Sequence, residues 1–529
     1  MKQTLLTLLF LFLHSTSFAE STRLDLSACT WTANGVISSV PHSFTFLTPE
    51  GSFTNILKSR YCIYRTTLPN TLSTNKRYVL QLDGVGRYAK VYAGKPPLDI
   101  KTAPLIGCHD YGFLPKRFDV TSFLDLFPGA TNELVIMVDM DGKSYPHDGR
   151  IVPFSGDFHV FHGLYRKVWL WELGKDEKLP SWLDTLKKPA LTYRDGFFWD
   201  AFGRKVFLRG VNYHQYFGYD WTYDEEKERR DLLLIKEMGA NAIRTAHYPK
   251  SPRFYEMCNE LGLYVFTEVP CVNTLLDHRE DIASNYLGYV ETMVKEYGRY
   301  ECIIAWGLYN ELGGMGLTNI ISEANALVHK LDPGRPTYGA NCGTPDFSRI
   351  PDILGCNLYW NWYTDTWEKF IPWASKQVLG HKKAGSFFLT EYGCSGNIEQ
   401  HSWDKVPEEW VRNMRAFTNS VDGSVHYKAK NPNNNPWHPV DYQLWLHERI
   451  WGGIKESMLK PPYLRTEWES WFAEHCGGVF IWQMFDTPTG QRNEGSTRNM
   501  NLKGMMDVHR RPKPAYEFYK REWNEGFAW

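Results

Sequence analysis

The sequence predicts a multidomain chain: an N-terminal jelly-roll-like β-sandwich followed by an eight-stranded (β/α)8 TIM barrel. Three observations carry that prediction. At 529 residues the chain exceeds what one hydrophobic core usually serves. From about residue 40 to 173 apolar runs of strand length alternate with Gly, Pro, Asn and Asp turns, with no helical period between them. After Phe202 the rhythm becomes apolar strand, polar-capped helix, apolar strand, repeated to the C-terminus, which is the pattern of a parallel sheet with helices outside.

In chain order, residues 1–19 read as a signal peptide: Lys2 gives the positive start, Leu5 to Leu13 is apolar apart from Thr7, and Ser17 and Ala19 precede Glu20 as small residues. Export to the periplasm or the extracellular space is therefore expected. The sandwich is assigned to 20–173 on the runs SFTFL, YCIYRTTL, RYVLQLDG, YAKVYAG, RFDVT, NELVIMVD and VFHGLYRKVWLWEL. A charged, proline-bracketed stretch follows and makes 174–195 a linker. The barrel is assigned to 196–529, with strands at 205–213, 241–246, 263–269, 302–309, 336–341, 353–359, 385–391 and 477–483. In its first helix Thr222 and Glu225 read as a capping box, Leu234, Ile235 and Met238 fall on one face, and Gly239 ends it. Residues 396–460, holding the turn-rich KNPNNNPWHP, read as an excursion that walls the rim of the barrel mouth.

Composition excludes several classes of function. Lys and Arg total 59 against 60 Asp and Glu, so no electrostatic case exists for a nucleic-acid partner or an anionic membrane. Mean hydropathy of −0.43 and the lack of a long apolar run after the leader argue against a membrane span. The ten cysteines are scattered through apolar runs without zinc-type pairing and read mostly as small buried hydrophobes. Aromatic residues reach 15%, with 21 Trp; most belong to cores, and a minority suits a carbohydrate groove because Trp and Tyr combine flat apolar faces with a polar edge. A homo-oligomer is compatible with the sequence.

In barrels of this kind, polar residues just past the carboxyl ends of the strands build the active site. Those ends carry His214 after strand one, Arg244 and His247 at strand two, Asn310 and Glu311 after strand four, Tyr359 and Tyr363 after strand six, Glu391 after strand seven and Trp482 on strand eight. Two carboxylates at converging strand ends suit cleavage of a glycosidic bond: one protonates the leaving oxygen while the other attacks or activates water. Glu268, also at a strand end, reads as a salt-bridge partner. A non-catalytic carbohydrate-binding protein on the same scaffold is the alternative from another class, and the retention of both carboxylates with Asn310 and Tyr359 argues against it.

The motifs GDFHVFHGLYRKV (156–168), FLRGVNYH (207–214), NAIRTAHYP (241–249), CIIAWGLYNEL (302–312), FFLTEYG (387–393) and KGMMDVHRRPKPAY (503–516) together resemble glycoside hydrolase family 2 over most of the chain. The resemblance implies a retaining, exo-acting β-glycosidase without a cofactor, acting on oligo- or polysaccharides. It implies Glu311 as acid/base, which has to start protonated, and Glu391 as nucleophile, kept ionised by Tyr359. Asn310 becomes the partner of the sugar 2-hydroxyl, Asp157 reaches a sugar hydroxyl from the sandwich, and His214, His247, Tyr359 and Trp482 line the subsite.

Two departures from the family pattern are informative. The immunoglobulin-like middle domain of many members is missing, leaving only the linker. Where metal-dependent β-galactosidases carry Glu and His ligands, this chain reads EVPCVNTLL, and Val272 and Thr274 cannot ligate Mg²⁺ through ionised side chains, so no metal is expected. For the sugar, NLYWNWY (357–363, with Asn357 and Tyr363) and NLKG (501–504) resemble the β-glucuronidase versions, in which Asn501 and Lys503 would hold the sugar carboxylate and Arg498 would add a cation. A β-glucuronide is favoured and a β-galactoside is the alternative.

Overall fold

The computed structural model describes residues 22–55, 59–86, 88–139, 158, 162–180, 185–219, 221–274, 280–313, 316–341, 343, 345–363, 369, 372–373, 386–402, 414–418, 425–430, 433 and 435–525. The proposed signal peptide, Asp157, Phe161 and Cys342 lie outside them.

Two antiparallel sheets form the N-terminal region. One orders Thr22–Asp25, Val168–Gly174, Lys76–Leu82 and Lys116–Asp119; the other orders Val36–Ser38, Trp31–Ala33, Tyr61–Thr67, Glu133–Asp139, Tyr88–Gly94 and Gly107–His109. The period-2 alternation is plain in Tyr61–Thr67, where every second residue is buried. Trp31, Tyr64, Leu80, Leu82, Val91, Ile136 and Leu170 fill the space between the sheets. The short strands before residue 40 and at 107–109 were invisible in the sequence, because three residues carry too little alternation to register. Residues 45–47 of the run SFTFL pair instead with 53–55 as a separate hairpin.

The barrel closes with parallel pairings throughout: Leu208–Asn212, Ala242–Arg244, Tyr264–Glu268, Ile303–Gly313, Thr337–Asn341, Ile353–Asn357, Ser386–Glu391 and Cys476–Ile481, the last returning to the first through Gly210 opposite Phe480. Both faces of these strands are covered, which is why they read as unbroken apolar runs. Leu208, Phe266, Ile304, Phe388 and Phe480 plug the interior, while Val211, Ile243, Trp306 and Phe387 pack outward under the helices. A Cβ on Gly307 would come within 2.3 Å of Glu268 Cβ and 2.6 Å of the Tyr338 ring, so strand four needs glycine there to let two site residues meet.

Three expectations are corrected. The first helix, Glu225–Glu237, is capped by Asp224, whose carboxylate accepts from Lys227 N–H, two residues after the cap expected at Thr222; a carboxylate beside the helix start also complements its dipole. The linker ends early, since Thr192–Arg194 pairs with Phe197–Trp199 in a hairpin sheet whose Phe198 packs into the barrel floor. The rim excursion is partly framework: Val440–Leu459 is a helix whose Leu446, Ile450, Trp451 and Ile454 join the main core. A short hairpin at Met414–Thr418 and Val425–Ala429 precedes it.

The sandwich docks directly on the barrel. Arg117 makes a bidentate pair with Glu296 at 2.7 and 2.9 Å. Buried Arg166 donates to Gln215 Oε1 at 3.0 Å and the Pro249 carbonyl at 2.8 Å, on the loops after strands one and two. Phe113 stacks on Tyr248 at 4.4 Å, and Phe158 and Tyr165 join a shared apolar cluster with Tyr216, Trp221 and Tyr248. Seven of the nine described cysteines are buried. Among the described residues no helix is long and apolar enough to cross a membrane.

Candidate active site

Arg244, at the end of strand two, is the hub. Its side chain is fully buried and its guanidinium spans four strand ends: Nε and Nη2 reach the two oxygens of Glu268 at 3.0 and 3.1 Å, and Nη1 reaches Glu391 Oε1 at 2.8 Å and Asn212 Oδ1 at 3.1 Å. Nη2 also donates to Asn310 Oδ1 at 2.8 Å. A planar fork with five donors can bridge these groups at once, which an ammonium cannot.

Glu391 accepts at both oxygens, from Arg244 and from the Tyr359 hydroxyl at 2.7 Å. Burial pushes its carboxyl up to about 8; Arg244 and Tyr359 pull it down, and the nearby Glu311 carboxylate adds to the rise. Glu311 sits at φ +49°, in the left-handed region, and its Oε1 accepts from Asn357 Nδ2 at 3.0 Å. Asn357 also donates to Asn310 Oδ1 at 3.0 Å and is itself held by the Thr390 hydroxyl at 2.8 Å. With two donors on its oxygen, Asn310 turns its amide nitrogen away from them, free to face a ligand.

His247 and His214 form the opposite wall. His247 Nδ1 lies 2.7 Å from Glu268 Oε1, its Nε2 lies 3.8 Å from Glu391 Oε1, and its ring stacks on Trp482 at 5.0 Å. His214 meets Trp482 edge-on at 5.4 Å and has a buried Nε2 with no hydrogen-bond partner. Burial lowers both imidazoles, more so for His214, where His247, Lys250 and Arg244 add repulsion. Both rings are therefore neutral at pH 7. From the sandwich, Phe158 packs on them at 5.3 and 5.9 Å.

Tyr363 meets Tyr359 edge-on at 5.3 Å, and its hydroxyl donates to Asn433 Oδ1 at 2.9 Å and accepts from Arg492 Nη1 at 2.7 Å. Three distant segments thus form one wall. Behind it Lys503 Nζ lies 5.5 Å from the Tyr363 ring and 3.4 Å from Glu494 Oε1, and Asn501 Oδ1 accepts the Lys503 backbone N–H at 3.1 Å. Arg498 is exposed beside Gly51 and does not join this cluster, which corrects the expectation of a second cation there.

Sequence reasoning missed Asn212, Tyr338, Arg492 and Glu494. Asn212 ends strand one, so the strand-end rule reaches it; Tyr338, whose hydroxyl donates to Glu268 at 2.8 Å, lies early in its strand and gives no such signal. Glu268, read as a salt-bridge residue, pairs with Arg244 and His247.

The network sets the acid limb of stability. Burial alone would raise Glu268, but Arg244 and His247 hold it down to about 2, and Lys503 and Arg492 do the same for Glu494. Both folded values lie below the usual carboxylate range. Their stabilisation is therefore complete above about pH 4.5 and is lost as pH falls toward 2. Melting temperature should drop across that window, and Glu494→Gln should flatten the drop; a wild-type melting temperature unchanged between pH 5 and 3 would refute the assignment.

A closed parallel barrel with paired carboxylates, a buried arginine hub and a tryptophan platform at its strand ends defines a glycosidase. Residues 194–400 match the family model for the glycosyl hydrolases family 2, TIM barrel domain. A Formosa agariphila protein provisionally named a beta-glucuronidase is 24% identical over 96% of this chain and 69% of its own length. A beta-galactosidase of Thermoanaerobacter pseudethanolicus is 23% identical over 84% of this chain and 62% of its own. The structure of Bacteroides uniformis beta-glucuronidase 2 superposes with a TM-score of 0.71 at 18% identity, over 96% of this chain and 70% of that one. The chain spans about two thirds of these relatives.

Proposed function

We propose that the protein is an exported, retaining, exo-acting β-glycosidase that releases a terminal β-linked uronic acid from oligo- or polysaccharides. The observation that carries the reading is the pair Glu311 and Glu391 on adjoining walls, with Asn357 bonded to the first and in register with the second. Glu391, with Arg244 and Tyr359 donating to its two oxygens, is assigned as the nucleophile and Glu311 as the acid. Glu311 then protonates the glycosidic oxygen as Glu391 attacks the anomeric carbon, and later takes a proton from the water that hydrolyses the glycosyl-enzyme. Asn310 donates to the 2-hydroxyl, and Trp482 and His247 offer a stacking face. The bonded cluster of Tyr363, Asn433 and Arg492 stands beside Tyr359, and the exo-acting mode follows the family resemblance. The N-terminal leader pattern supports export.

Glu311→Ala should cut turnover of poor leaving groups by about 10²- to 10⁴-fold, with much smaller losses on activated aryl glycosides, and azide should restore activity as a β-glycosyl azide. An inverted anomer in product NMR would overturn the nucleophile assignment.

The uronide reading rests on the buried Lys503 ammonium behind Tyr363 and on the beta-glucuronidase name of the Formosa relative. Lys503→Ala should lower kcat/KM on p-nitrophenyl β-D-glucuronide by about 1.5 to 3 kcal/mol, the worth of a charge-assisted hydrogen bond. A wild-type enzyme that cleaves the β-galactoside and leaves the glucuronide intact would promote the galactosidase alternative.

A further inference from the structure

Lys503 belongs to the uronide reading, but the group that holds it has no role in that reading. Its side chain is 1% exposed and that of Glu494 is fully buried, so the ammonium needs a fixed counter-charge to be tolerated at all. Glu494 supplies it from a clamped position. Its Oε2 accepts the Ser395 hydroxyl at 2.6 Å and the Leu502 backbone N–H at 2.8 Å, which ties the carboxylate to the segment after strand seven and to the residue preceding Lys503. Its Oε1 faces two cations, Lys503 Nζ at 3.4 Å and Arg492 Nη1 at 3.2 Å.

The two halves of the carboxylate do different work. The Oε2 contacts are short and fix the rotamer, whereas the Oε1 contact to Lys503 is longer than the 2.7 to 2.9 Å usual for a tight ammonium–carboxylate bond. Lys503 is steadied without being captured, and it keeps donors for another anion. Arg492, through the same oxygen, is aimed at the Tyr363 hydroxyl that stands beside Tyr359 and hence beside Glu391.

We infer that Glu494 is the positioning residue of the sugar-carboxylate site: it holds Lys503 and Arg492 as a pair aimed at the end of the pocket that takes the substrate's anionic group. The inference rests on the uronide reading and adds a residue that never touches the sugar itself. Its effect is on binding, because the chemistry at Glu311 and Glu391 does not pass through it.

A double-mutant cycle on the full chain with p-nitrophenyl β-D-glucuronide tests it. Glu494→Gln should raise KM about tenfold with kcat within about twofold. Combined with Lys503→Ala it should lose clearly less than the sum of the two single losses, because Lys503→Ala has already removed one of the two cations that Glu494 holds. Glu494→Asp, which keeps the charge and withdraws it by one methylene, should fall between wild type and Glu494→Gln and covers the case in which the amide variant fails to fold. Additive losses in the cycle, or a fall in kcat at unchanged KM, would overturn the inference and leave Glu494 as framework. A wild-type enzyme without glucuronidase activity would overturn it by a separate route, through the uronide reading itself.

Discussion

Glu391→Gln should abolish turnover, with a loss on the order of 10⁴-fold or more on any β-glycoside, since an amide cannot form the glycosyl ester. The amide oxygen can keep the Arg244 Nη1 bond and the Tyr359 hydroxyl can rotate to accept from the amide NH2, so the pocket should keep its shape. The folded state should be at least as stable as wild type. Burial opposes ionisation of this carboxyl, pushing it up to about 8, so its charge is a cost to the fold as pH rises from about 4.5 toward 8. A melting temperature above wild type at pH 8, together with loss of activity, is the expected pair of results. Residual turnover within about a hundredfold of wild type would show that another group attacks the anomeric carbon.

Arg244→Ala should damage fold and chemistry together. It strands Glu268 and Glu391, both buried, without their cation, and breaking one partner from such a network costs about 3 to 5 kcal/mol. Urea melts should show that loss even where the variant remains soluble. Arg244→Lys separates the two effects: an ammonium can neutralise one carboxylate but cannot reach Glu268, Glu391, Asn212 and Asn310 at the same time. It should recover part of the stability and little of the activity. A variant that melts within about 1 kcal/mol of wild type and turns over within about tenfold would refute the hub assignment.

Several features of the site were readable in the chain because they obey local rules. Barrel strands run as apolar stretches since helices and the inner plug cover both faces, and their last residues project into the mouth, so Glu311, Glu391, Arg244 and Asn310 can be found by reading strand ends. The helix start after Asp224 was misplaced by two residues because Thr222 and Asp224 offer competing caps, and only the backbone geometry at Asp224, φ −136° and ψ 111°, decides between them.

By itself the sequence determined the strand-only N-terminal region, the eight-stranded barrel and the residues that reach its mouth, all of which depend on periodicity and on what lies next in the chain. Tertiary structure alone decided what surrounds each charge. Arg244 meets Glu391 across 147 positions, Arg117 meets Glu296 across 179, and Tyr363 is joined to Arg492 across 129. No local pattern encodes those partners, because each is set by where the closed barrel and the docked sandwich bring two remote segments together. Hydrogen-bond and Coulomb energies fall off within a few ångströms, so the state of a carboxylate such as Glu494 depends on those neighbours and not on its place in the chain.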